Sequence, residues 1–106
     1  MGRLFESRCA LVGMVHFLPL PGSPGFQGSM AEIEDRAFAD ARALKEGGAE
    51  AILFENMGDL PYLRGRVEPE TVAAMAAIAR PVAREAGLPA GVQVLAGANR
   101  EALGVA

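Results

Sequence analysis

The chain has 106 residues, enough for one domain, and its 51% apolar and 22% charged content excludes a disordered polymer. With a net charge of −3 and no cluster of Lys or Arg, it is a poor fit to nucleic acid, whose recognition depends on neutralising phosphates. A single cysteine, Cys9, excludes an internal disulfide.

In chain order, residues 1–8 carry Arg3, Glu6 and Arg8 and lack the basic start, apolar core and small-residue cleavage site of a signal peptide. No apolar run reaches the roughly 18 residues of a membrane span, so no transmembrane segment is predicted and a cytoplasmic location is expected. Residues Cys9 to His16 form a nearly continuous apolar run, the pattern of a strand buried on both faces in a parallel sheet. Cys9 reads as packing at the start of that strand. The segment from Phe17 to Gly28 is rich in Pro and Gly, which forbid a regular helix or a central strand. A loop this long serves either as a lid over a site or as a rigid plug at its mouth.

Ser29 and Glu32 form S-x-x-E, a capping box, and Ile33, Ala37, Ala41 and Leu44 recur at helical spacing until Gly47 and Gly48 end the helix. A second apolar run, Ala51 to Phe54, ends in Glu55 and Asn56. After a polar loop, Pro69 suits a first helical turn, and Val72, Met75, Ala76 and Ala79 continue a helical stripe. Pro81 should kink that helix or end its first segment near Arg80. Val92 to Leu95 is a third apolar run, and residues from Arg100 onward open a third helix. The methionines and Phe38 read as core.

Strands separated by whole helices imply parallel pairing and an α/β fold. No G-x-G-x-x-G follows the first strand and no lysine follows the loop glycines, so dinucleotide and Walker-type phosphate sites lose support. A β/α barrel needs eight units and roughly 250 residues. This chain supplies two and a half units, so the expectation is the N-terminal portion, residues 1–106, of one (β/α)8 barrel domain. Its unclosed strand edges leave room for association into a homo-oligomer.

His16, Glu55 and Asn56 fall where strands end, which is where parallel α/β folds gather their sites. An imidazole exchanges protons near neutral pH or ligates a metal, although His16 could equally hold the loop through a carbonyl. Glu55, Asn56 and Asp59 form E-N-x-x-D; a carboxylate there can act as a general base or bind a divalent cation such as Mg²⁺. Consecutive strand residues point to opposite faces, so Glu55 and Asn56 cannot both face the barrel axis unless the strand has already ended. Asn56 and Asp59 could instead fix their loop by hydrogen bonds to backbone. In the loop, the turn at Pro21, Gly22 and Ser23 could bind a small-molecule ligand, with the amides of Gly22 and Ser23 as donors, and Asn99 could either join the site or cap the third helix.

The run GMVHFLPLPGSP, Gly13 to Pro24, resembles the opening signature of the BtpA/SgcQ family. AILFENMGDLPY, VEPETVAAMAAIA and GVQVLAGANREAL follow in the family's order and together cover nearly the whole chain. The resemblance implies a barrel similar to the ribulose-phosphate-binding barrels. The polar groups gathered at strand ends point to an enzyme for a small phosphorylated or sugar-like ligand, whereas the resemblance implies, as the alternative, a non-enzymatic factor for photosystem I biogenesis or stability. Many relatives carry an Asn-Asp pair after the third strand; here those places are Gly97 and Ala98, with Asn99 one step later.

Overall fold

A computed structural model describes residues 9–62 and 64–106. The reading of residues 1–8 as lacking a signal peptide lies outside the described residues. The element order is β1 (Val12–His16), α1 (Met30–Glu46), β2 (Ala51–Glu55), α2 (Pro69–Ala86), β3 (Ala90–Gln93) and α3 (Asn99–Val105). The three strands form one parallel sheet in the order β1-β2-β3, so the chain has an α/β fold. No helix of the described residues is long and apolar enough to cross a membrane.

The helix starts follow from local chemistry. Ser29 Oγ accepts a hydrogen bond from the Glu32 amide at 3.1 Å and satisfies one free donor of the first turn of α1. Pro69 occupies the first turn of α2, where its missing N–H costs nothing, and Gly87 ends that helix at φ 66°. Pro81 does not end α2, which runs unbroken through it to Ala86. The carbonyl of Ala77, which Pro81 cannot serve, belongs to an exposed residue, so water can take the place of the lost N–H.

One face of the sheet carries the core. Val15, Ile52 and Phe54 pack with Ile33, Ala37 and Ala41 of α1 and with Met75, Ile78 and Val82 of α2; Val105 of α3 packs against the same cluster. Phe17 stacks on Phe54 with ring centroids 5.6 Å apart. Gly13 lies on this face because a Cβ there would stand 2.7 Å from a methyl of Leu44.

The register places His16 beside Glu55 and Glu55 beside Gln93. Val12, Met14 and His16 therefore share the opposite face with Ala51, Leu53 and Glu55, and with Gly91 and Gln93. On that face Val12 is 46% and Met14 37% exposed. The expectation that β1 is buried on both faces is thus corrected: only its helix-bearing face, Gly13 and Val15, is buried among the described residues.

Other boundaries also move. β1 begins at Val12, and Cys9 is exposed rather than buried in a strand. Met75 is core and Met30 and Phe38 pack against it in part, but Met14 and Met57 are exposed. β3 is Ala90–Gln93 rather than Val92 to Leu95. The pairing starts where Ile52 donates its amide to the Pro89 carbonyl, at residues too small to mark a strand by hydrophobicity. It stops before Val94 because the Leu95 backbone is held by a side chain, described below.

Candidate functional site

The end of β2 sends two adjacent polar residues in different directions, as backbone alternation requires. Glu55 completes the sheet pairing, and its carbonyl accepts the Phe17 amide at 2.9 Å. Its side chain, only 7% exposed, faces that of His16, with Nε2 and Oε1 3.6 Å apart, longer than a hydrogen bond and an ion pair only when the imidazole is protonated. The His16 side chain is 45% exposed and open to solvent.

Asn56 turns the other way and is 1% exposed. Its Oδ1 accepts the Leu95 amide at 2.6 Å and its Nδ2 donates to the Leu95 carbonyl at 3.3 Å. One side-chain amide thereby imitates a strand partner for the segment leaving β3. Nδ2 also reaches Asp59 Oδ2 at 3.4 Å, and Asp59 Oδ1 accepts the Leu20 amide at 2.7 Å. Asp59 thus ties the loop after β1 to the loop after β2, and Leu20, 0% exposed, anchors the former in the core.

Burial raises the Asp59 carboxyl above its ordinary value near 3.8, opposed by the hydrogen bonds from Leu20 and Asn56. A raised folded-state pKa favours the neutral form on folding. The stability Asp59 contributes is therefore full below the ordinary carboxylate value and is lost as pH rises through the raised one. Thermal melts from pH 3.5 upward, about the unfolded carboxylate range, should show the wild type losing more stability with rising pH than Asp59→Asn, which keeps an acceptor for Leu20. Parallel profiles would contradict the burial argument.

A cleft of about 250 Å³ opens beside Asn56 and Asp59, lined also by Gly22, Ser23, Pro24, Glu68, Glu70 and Thr71. The E-N-x-x-D residues thus divide. Glu55 joins His16 on the uncovered face, whereas Asn56 and Asp59 join Gly22 and Ser23 at this cleft. Pro21 and Asn99 do not line it. Asn99 is exposed and is the first residue of α3, whose cap position is Ala98 without a side-chain hydrogen bond. Among the described residues, no group of three or more His, Cys, Asp or Glu side chains converges as a metal site. Sequence reasoning missed Gln93, exposed at the end of β3 and in register with Glu55. Its signal was the alternation of β3, obscured because the strand was placed two residues late.

The BtpA family model matches residues 7–106. An uncharacterized protein of Pyrococcus abyssi is 52% identical over 85 residues, which is 80% of this chain and 32% of the relative. The putative sgc region protein SgcQ of Escherichia coli is 43% identical over 88 residues, 81% of this chain and 32% of that protein. The Photosystem I biogenesis protein BtpA of Synechocystis sp. is 35% identical over 102 residues, 96% of this chain and 36% of that protein. The chain thus spans about a third of the length of these relatives. No solved structure matches.

Proposed function

The chain belongs to the BtpA family, and from that premise we propose that it supplies the first β/α units of a (β/α)8 barrel that binds a small sugar-like or phosphorylated ligand at the C-terminal rim of its strands. One observation carries this reading. The ends of two neighbouring parallel strands bring His16 and Glu55 within 3.6 Å on the face that the helices leave uncovered. Structural carboxylates are seldom left so nearly buried with so weak a partner. In this reading His16 gives and takes a proton at the ligand, and Glu55 orients the imidazole or accepts a ligand hydroxyl. A divalent cation, if used, would take Glu55 and His16 as two of its donors, with the others from later strands of the full-length protein.

The test is a thermal-shift screen of the full-length protein against sugars, sugar phosphates and divalent ions. His16→Ala should melt within about 0.5 kcal/mol of wild type, because the side chain is half-exposed, yet lose the ligand-induced shift. A shift retained in full by His16→Ala would remove the histidine from the site.

A second reading rests on the name of the Synechocystis relative, namely a non-enzymatic factor in photosystem I biogenesis or stability. Complementation of a Synechocystis strain lacking that relative separates the two. Equal rescue by wild type and His16→Ala favours the non-enzymatic role, and loss of rescue with His16→Ala favours the ligand site.

A further inference from the structure

We infer that Gln93 is a ligand-contacting residue that acts with Glu55 to select the hydroxylated, uncharged part of a sugar or polyol rather than a phosphate; the inference rests on the strand-end site proposed above. The register sets His16, Glu55 and Gln93 side by side across β1, β2 and β3. With strands about 4.8 Å apart, the three side chains form a row of roughly 10 Å on one face, comparable to a five- or six-carbon polyol.

The chemistry of the row points to hydroxyls. At its centre the Glu55 side chain is 7% exposed, and among the described residues it accepts no hydrogen bond, His16 Nε2 standing 3.6 Å away. A carboxylate with open lone pairs is free to accept hydrogen bonds from a ligand's O–H groups. Gln93 is exposed. Its amide offers both a donor and an acceptor, so a ligand group between Glu55 and Gln93 is best served by an O–H that donates to the carboxylate and accepts from the amide. A phosphate in the same place would bring its negative charge against the Glu55 carboxylate. Any phosphate on the ligand therefore lies away from this row.

Isothermal titration of the full-length protein with D-ribose and ribitol, with inorganic phosphate as competitor, tests the assignment. The neutral polyols should bind, Gln93→Ala should weaken them by at least roughly fivefold with an unchanged melting temperature, and Gln93→Glu should weaken them further. Inorganic phosphate should not displace them. If Gln93→Ala binds as wild type does while His16→Ala binds weakly, the role given to Gln93 is wrong and the strand-end site stands. If both variants bind as wild type does, the site itself is wrong. Displacement by phosphate, or no binding of either polyol, overturns the chemical class.

Discussion

Replacing Asn56 with alanine should destabilise the full-length protein by about 3 kcal/mol, from the loss of a buried amide that serves two backbone groups. The variant leaves the Leu95 N–H and carbonyl without the partners they now have at 2.6 and 3.3 Å, and it removes the donor to Asp59 at 3.4 Å. Each unsatisfied buried group costs about 1–3 kcal/mol. The adjoining cleft lets water recover part of that cost, which keeps the total below the sum of three such losses. Urea unfolding measures the effect, and a change below about 0.5 kcal/mol, ordinary for a surface site, would show that the contact to Leu95 does not shape the end of β3. Asn56→Asp sharpens the test. It would set a carboxylate against the Leu95 carbonyl and a second carboxylate at the Asp59 contact, so its destabilisation should be greatest at neutral pH and shrink on acidification.

Gly58→Ala should cost about 3 kcal/mol for a different reason, overpacking against backbone that cannot rotate away. A Cβ at Gly58 would stand 2.7 Å from both the Phe17 carbonyl oxygen and the Pro19 nitrogen. The Gly58 amide already donates to that Phe17 carbonyl at 3.2 Å, so the two loops meet main chain to main chain. Gly28→Ala provides the control. Gly28 has φ 86° and nothing within 4 Å of an added Cβ, so its cost is conformational and about 1 kcal/mol. If Gly58→Ala proved as mild as Gly28→Ala, the loops would be separable and the main-chain contact between them would not anchor the first loop.

These contacts explain what could and could not be read from residue order. The strand-helix alternation, the Ser29 cap, the start of α2 at Pro69 and the place of His16 and Glu55 at strand ends were all legible, because each depends on local chemistry or on periodicity. The opposite directions of Glu55 and Asn56 were legible for the same reason, since backbone alternation fixes them. The end of β3 was not, because the Leu95 backbone bonds go to a side chain 39 residues away, a partner that hydrophobic pattern does not encode. The exposure of Val12 and Met14 was also unforeseen. Their apolar character anticipates cover on a face that the described residues leave open. Of the two outcomes read at Pro81, the ending of the helix is overturned, because the carbonyl left without its N–H belongs to the exposed Ala77.

The separation of roles along the strand ends, with His16, Glu55 and Gln93 for the ligand and Asn56 with Asp59 for the loops, is the claim on which the functional account stands. A crystal structure of the full-length protein with its tightest-binding pentose decides it most directly. The account predicts sugar hydroxyls within hydrogen-bonding distance of the Glu55 carboxylate and the Gln93 amide, with Asp59 still bonded to the Leu20 amide. A sugar seated instead in the cleft between Ser23 and Glu70, making no contact with Glu55, would contradict it.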